Sequence, residues 1–127
     1  MSSETLHAPR ERLSKATISL HQAITSLMEE LEAADWYRQR ADDCEDAELR
    51  EILLHNMREE MEHASMVLEW IRRHNSDFAG HLKTYLFTET PITGIEKAVE
   101  QGGGNGGGGG DTPPGSRTTV GSLKGRR

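Results

Sequence analysis

The sequence is poor in cysteine and lacks long apolar runs. Cys44 is the only cysteine among the 127 residues, so no disulfide framework is expected, and a reducing, cytosolic compartment is the simpler interpretation. No run approaches the roughly 18 consecutive apolar residues that a membrane-spanning helix needs. The N-terminus lacks an apolar signal region. We therefore expect a cytoplasmic protein with no membrane partner.

Positive charge is scarce in the first hundred residues. They hold 11 Lys and Arg against 20 Asp and Glu, a net charge of −9, whereas the remaining residues have a net charge of +3. Nucleic-acid binding is not expected, because it needs clustered positive charge. An acidic surface is compatible with attracting cations.

The composition also limits the size of the folded part. Hydrophobic residues make up 34% of the chain, which is lean for a large private core and adequate for long amphipathic helices that share one. Residues 102–110 are glycine apart from one asparagine, so they carry almost no apolar surface to offset the entropy of ordering. We predict an N-terminal segment at 1–9, a helical domain at 10–95, a flexible Gly-rich linker at 96–117 and a terminal peptide at 118–127.

Two long helices are predicted from hydrophobic periodicity. Steps of three and four run along a first helix from about residue 10 to 40 and a second from about 46 to 74. Asp46 is a good N-cap, and Glu48 lies in the first turn, where the helix dipole favours an acid. The first seam contains Leu13, Thr17, Leu20, Ile24, Leu27, Leu31 and Ala34. The second contains Leu49, Leu53, Asn56, Glu60, His63, Val67, Trp70 and His74.

These patterns predict an all-α fold. A shorter third helix is expected from Ser76 to Phe87, Pro91 is expected to stop regular structure, and Thr93 could begin one or two further turns. Two long helices with a short link form an antiparallel hairpin, in which each helix has only one neighbour. Homodimerisation of two hairpins into a four-helix bundle would cover the remaining apolar stripes.

Three polar residues, Glu60 and His63 in the second seam and Glu30 beside the first, predict a metal site. Glu30 and Glu60 are each fifteen positions from residue 45, the middle of the predicted link, so they come level in a hairpin. His63 follows Glu60 by three residues and reaches from the same face. Buried carboxylates are costly unless they are paired or bound to a cation. In helical bundles, di-iron sites take one Glu from each of two helices and a Glu-x-x-His from each of the others, so one hairpin supplies half a site.

The donor types favour some metals and leave other interpretations open. Mixed oxygen and nitrogen ligands suit iron or manganese better than zinc, and the His-Glu-x-x-His pattern of zinc peptidases is absent. Alternatively, the polar layer sets helix register, His63 is a hydrogen-bonded core histidine, and the protein is a non-catalytic metal-binding assembly or scaffold.

Other polar residues near this layer have two interpretations each. Tyr37, two turns after Glu30, is either a donor near the metals or an amphipathic residue at the bundle end beside Trp36. A second acidic group is either a solvated face or a vestibule that attracts Fe(II). It comprises Glu29, Glu32 and Asp35, with Glu59 and Glu62 on the second helix.

Three sequence blocks resemble the encapsulated ferritins, small ferritin-like proteins carried as cargo inside encapsulin nanocompartments. The blocks are residues 28–37, MEELEAADWY, residues 55–64, HNMREEMEHA, and residues 81–89, HLKTYLFTE. The resemblance covers most of residues 10–95. It implies a hairpin whose dimer assembles a ferroxidase centre with two iron ions at the interface, and dimers arranged in a ring-shaped decamer.

The resemblance also implies individual roles. Glu30, Glu60 and His63 would be iron ligands, and Tyr37 would lie near the metals. Glu29 and Glu32 would form a metal entrance with Trp36 beside it, and His55 would lie along the metal path. Residues 119–125, TVGSLKG, look like an encapsulin cargo-loading peptide, with Val120 and Leu123 as its apolar anchors on the shell wall. The implied location is the lumen of an encapsulin compartment in the bacterial cytoplasm.

Overall fold

A computed structural model describes residues 5–102. The predicted cargo-loading peptide, with Val120 and Leu123, lies outside the described residues, as do residues 1–4 and 103–117. Every regular element in the described range is helical, so the all-α prediction is confirmed there. None of the helices in this range is both long enough and apolar enough to cross a bilayer.

Four α-helices follow a short 3-10 turn at Arg10–Arg12. They are α1 (Lys15–Asp43), α2 (Ala47–His74), α3 (Ser76–Tyr85) and α4 (Ile92–Gly102). Within residues 5–102 the chain divides after Ser76 into two compact units. The first contains the predicted hairpin of α1 and α2, which pack against each other.

Helix α1 begins at Lys15, five residues after the predicted start. Leu13 and Ser14 are extended, with ψ angles of 138° and 161°. The Ser14 hydroxyl then accepts a hydrogen bond from the backbone N–H of Thr17 at 3.0 Å. The periodic pattern crosses this break because the 3-10 turn also has a helical spacing, whereas the serine cap sets the true boundary.

The link between the two long helices is short and well bonded. Asp46 caps α2 by accepting a hydrogen bond from the Leu49 backbone N–H at 2.8 Å, as the sequence predicts. The Arg50 guanidinium donates to the Cys44 carbonyl oxygen, at 2.8 Å from Nη2 and 3.3 Å from Nε. These bonds determine where α1 ends and α2 begins. They therefore determine which residues of the two antiparallel helices lie at the same height.

On α2 the buried residues lie one position after members of the predicted seam, whereas on α1 the buried Ala34 belongs to the predicted seam. The buried residues recur every seven positions and are Ala34, Ala41, Met57, Ala64 and Ile71. Glu60 lies on this line, three residues after Met57 and four before Ala64. On α1, Glu30 faces the partner helix, while Leu31, which the sequence placed in the seam, is 55% exposed. Periodicity predicts the spacing of residues on an apolar helix face. The packing of the small alanine side chains determines which residues on that face are most buried.

A single hairpin leaves much apolar surface in contact with water. Large exposed apolar residues on α1 and α2 are Met28, Leu31, Trp36, Leu49, Ile52, Met61, Met66 and Trp70. This exposure is what the sequence leads us to expect for half of a bundle. Dimerisation itself stays a prediction.

The second unit contains α3 and α4. Helix α3 ends at Tyr85, two residues before the predicted end, because Phe87 adopts a left-handed φ of 63°, a conformation that terminates helices. Helix α4 begins directly after Pro91 and continues to Gly102, so residues 96–102, which the sequence assigned to the linker, are helical. Pro91 directly precedes α4, since proline is tolerated at a helix start.

The Asp46 cap can be tested by substitution. Asp46→Ala removes the acceptor for the Leu49 N–H, and we expect it to lower the free energy of unfolding by about 1 kcal/mol. Asp46→Asn keeps an acceptor and should retain most of the stability. Urea denaturation of chelator-treated protein measures both. Equal stabilities for Asp46→Ala and wild type would show that the cap does not hold the hairpin link.

Candidate metal centre

Three side chains converge near the middle of the hairpin. Glu30 comes from α1, whereas Glu60 and His63 come from α2, and one ligand atom from each lies within 4.8 Å of the others. In residues 5–102 no other group of three or more His, Cys, Asp or Glu meets this criterion. The matching heights predicted for Glu30 and Glu60 are therefore confirmed.

The imidazole of His63 touches both carboxylates through one nitrogen. Its Nδ1 atom lies 3.6 Å from Glu30 Oε1 and 3.6 Å from Glu60 Oε1. The contact with Glu60 follows from their spacing of three residues on one helix. The contact with Glu30 requires the hairpin.

The site is only partly buried within one chain. The side chains of Glu30 and Glu60 are 25% and 24% exposed, and that of His63 is 46% exposed. The sequence places all three on faces that a four-helix bundle would bury, and in the single hairpin Glu30 and Glu60 are half-buried while His63 is exposed. The reason is geometric, since one hairpin covers each helix from one side only.

The two carboxylates interact unfavourably when both are ionised. A hydrogen bond with Glu60 is the largest influence that raises the pKa of Glu30, followed by partial burial and by repulsion from the Glu60 charge, while His63 acts in the opposite direction. A shared proton or a cation relieves this repulsion. Carboxylate oxygens with an imidazole nitrogen form a donor set that fits iron or manganese.

Glu59 is a neighbour of the centre that sequence reasoning assigned only to the outer acidic face. Its Oε1 lies 3.8 Å from His63 Nε2, and its Oε2 lies 3.9 Å from His55 Nε2. Residues 55, 59 and 63 are each four apart, so the helical spacing alone was a signal for this line. Both nitrogens of His63 therefore face carboxylates.

The aromatic pair on α1 is held by an arginine. The Arg40 guanidinium carbon lies 5.4 Å from the centroid of the Tyr37 ring and 5.9 Å from that of Trp36, within the range of cation–π attraction. Tyr37 is half-buried and Trp36 is exposed. Arg40 was not among the sequence candidates, although its i+3 and i+4 spacing pointed to it. The role of Tyr37 near metals stays a prediction.

The outer acidic residues are all exposed. Asp35 accepts a hydrogen bond from the Gln39 amide at 3.0 Å, and Glu29, Glu32 and Glu62 face solvent. His55 is exposed as well. The geometry fits a solvated face, and the metal-entrance role of Glu29 and Glu32 stays a prediction.

A helical hairpin with a carboxylate and histidine layer at mid-height defines a ferritin-like protein. The family model described as EncFtn-like matches residues 5–89. The chain belongs to this EncFtn-like family.

Related proteins are similar in sequence to most of this chain. An "Encapsulated ferritin-like protein" of Rhodospirillum rubrum is 54% identical over 127 residues, covering 98% of this chain and 91% of the relative. A "Ferritin-like protein" of Thermotoga maritima is 46% identical over 96 residues, covering 76% of this chain and 84% of the relative. The crystal structure of protein ne0167 from Nitrosomonas europaea superposes with a TM-score of 0.66 at 54% identity, covering 68% of this chain and 96% of that one.

Because the pKa of Glu30 is raised, replacing this residue by a neutral glutamine should increase the free energy of unfolding in a pH-dependent way. A raised folded-state pKa gives stability that is present below the unfolded pKa and is lost as pH rises through the folded pKa. Glu30→Gln should therefore gain stability relative to wild type as pH rises above the ordinary range of a glutamate pKa. Thermal unfolding of chelator-treated proteins measures the difference. Glu51→Gln, at an exposed position of α2, serves as the control, and an equal response in the two variants would contradict the repulsion argument.

Proposed function

We propose that this protein is a ferroxidase. It oxidises Fe(II) to Fe(III) at a di-iron centre formed across a dimer interface and delivers the product for mineral storage inside an encapsulin nanocompartment. The observation that carries the proposal is the convergence of Glu30, Glu60 and His63 within 4.8 Å. Membership of the EncFtn-like family supports iron as the metal.

The ligand count supports a centre shared between two chains. Bundle di-iron sites use four carboxylates and two histidines, and one hairpin offers two carboxylates and one histidine. A two-fold axis through the layer supplies the other half, with two iron ions across it. The 46% exposure of His63 leaves room for ligands from a second chain.

Apolar exposure around the site supports the same arrangement. Met28 and Leu31 on α1, and Met61 on α2, are within three residues of a ligand and are 43–55% exposed. Each would bury apolar surface in a four-helix bundle, at about 25 cal/mol per Å². The arrangement of dimers as a ring-shaped decamer rests on the family resemblance alone.

The proposed chemistry uses Fe(II) as substrate. Two Fe(II) ions each lose one electron to oxygen or peroxide, and the carboxylates of Glu30 and Glu60 stabilise the higher charge of Fe(III). His63 contributes a nitrogen ligand. Tyr37 lies on the same face two turns along α1, and Glu29, Glu32, Trp36 and His55 are proposed to guide Fe(II) inward.

The C-terminal segment is proposed to dock the protein on the shell interior. The name of the Rhodospirillum rubrum relative, 54% identical over 127 residues, supports an encapsulin partner. Val120 and Leu123 are the apolar residues with which residues 118–127 would bind.

Ligand removal tests the ferroxidase proposal. Glu30→Ala and His63→Ala should each reduce the initial rate of Fe(II) oxidation by more than about tenfold, because each removes a metal ligand from both halves of the shared site. Absorbance after aerobic addition of Fe(II) measures the rate.

Glu51→Ala, an exposed acid on the same helix as Glu60, is the control and should keep the wild-type rate. Either ligand variant oxidising iron as fast as wild type would contradict the proposal. Binding of Fe(II) without oxidation would instead indicate a non-catalytic metal-binding assembly. Sedimentation analysis locates the active species, and full activity in a monomer would exclude the shared centre.

The tail is tested separately from the chemistry. Deleting residues 117–127 should abolish loading into co-expressed encapsulin shells while leaving Fe(II) oxidation intact, since the ligands lie on α1 and α2. Val120→Asp with Leu123→Asp should have the same effect in the full-length chain. Purified shells assayed for this protein give the measurement, and normal loading of the truncated chain would assign docking to the helical body.

A further inference from the structure

The line from His55 through Glu59 to His63 carries an inference that rests on the proposed metal site. We infer that Glu59 is a positioning residue, which holds the His63 ring so that Nδ1 faces the metals, and that His55 steadies Glu59 from the other side. None of the proposed ligand roles includes Glu59.

The two nitrogens of His63 face different acids. Nδ1 lies 3.6 Å from an oxygen of Glu30 and 3.6 Å from an oxygen of Glu60, on the inner side. Nε2 lies 3.8 Å from Glu59 Oε1, on the outer side. The ring is thus bracketed by carboxylates, and turning it over would exchange the nitrogens between the two environments.

Helix geometry produces this bracketing. Glu59 and Glu60 are consecutive, so their side chains diverge by about 100° around the α2 axis. Position 63 follows them by four and three residues, which places its side chain between the two directions. Glu60 points toward α1, and Glu59 points toward solvent with a side-chain exposure of 48%.

Metal binding requires a defined tautomer of the ring. A nitrogen that ligates a metal must offer its lone pair, so the proton of a neutral imidazole lies on the other nitrogen. Metal-ligating histidines commonly donate that second N–H to a carboxylate, which fixes the ring orientation. The 3.8 Å separation of Nε2 from Glu59 Oε1 is an ion-pair distance, and the proposed hydrogen bond requires the two groups to come closer.

His55 restricts the side chain of Glu59, which in turn positions the ring of His63. Its Nε2 lies 3.9 Å from Glu59 Oε2, the oxygen that does not face His63. A free surface glutamate samples several rotamers, and a contact on each oxygen restricts it to the line along the helix. His55 therefore acts on the centre at a distance of two helical turns.

The first test measures metal affinity with zinc, which is redox-inert. We expect Glu59→Ala in the full-length chain to weaken Zn(II) binding by about 10-fold to 100-fold in calorimetric titration. Glu62→Ala removes an equal charge beside His63 and is the matched control, for which we expect a much smaller change. Equal losses in the two variants would reduce the effect to bulk charge and overturn the inference.

The second test observes the ring itself. Solid-state ¹⁵N spectra of Zn(II)-loaded, histidine-labelled protein, assigned with His63→Gln, show which nitrogen of His63 carries the proton. Wild type should give a single form with Nδ1 bound and Nε2 protonated, whereas Glu59→Ala should give a mixture. A single, unchanged form in Glu59→Ala would overturn the positioning role even if affinity fell.

These outcomes separate the inference from the proposed function. If His63 of wild type binds no Zn(II), both the metal site and the positioning role fail. If wild type binds through Nδ1 and Glu59→Ala behaves as Glu62→Ala does, only the role of Glu59 fails. His55→Ala should reproduce a weaker form of the Glu59→Ala mixture, and a spectrum identical to wild type would remove His55 from the line.

Discussion

The repulsion between Glu30 and Glu60 is the constraint on which the rest of the site depends. Both carboxylates are about three-quarters buried beside His63. A hydrogen bond with Glu60 raises the pKa of Glu30 most, followed by burial and by repulsion from the Glu60 charge. Two like charges in a partly dry site weaken the fold unless something neutralises them. Binding of a proton or a cation between Glu30 and Glu60 therefore stabilises the hairpin.

The helices maintain this unfavourable approach because their own ends are well fixed. Ser14 caps α1, Asp46 caps α2, and Arg50 binds the carbonyl of the link. Ala34 and Ala64 are buried on the facing lines, where small side chains let the two backbones come close. The residues that make these local bonds are distinct from Glu30, Glu60 and His63, so the scaffold of the site and its proposed chemistry are carried by different side chains.

The spacing of residues from the predicted link was enough to predict that Glu30 and Glu60 lie close together. The identity of the most buried positions depends on side-chain packing, which the spacing does not reveal. The equal distances of Glu30 and Glu60 from residue 45, together with the Asp46 cap, were sufficient to predict that the two carboxylates come level. The same periodicity placed both Leu31 and Ala34 in the seam, but in the hairpin Ala34 is buried and Leu31 is 55% exposed, because residues three apart share a helix face that is wider than one line of contact. Glu59 was missed for a related reason, since a charged residue beside a ligand looks like any solvated position until the ring orientation of His63 is known. Helix α4 was cut short because the glycine run after it dominated the local composition.

The proposed dimer would increase the repulsion between carboxylates at this layer. A second hairpin placed across the layer would bring two more carboxylates into contact with the first pair, and the exposed apolar residues of both chains would have to offset four negative charges. Apolar burial and charge repulsion then oppose each other, and a bound cation shifts the balance toward association. Because linkage is reciprocal, a metal that favours the dimer is itself bound more tightly by the dimer. In the proposed dimer, the incomplete ligand set of one chain would couple the loading of iron to the assembly of the protein.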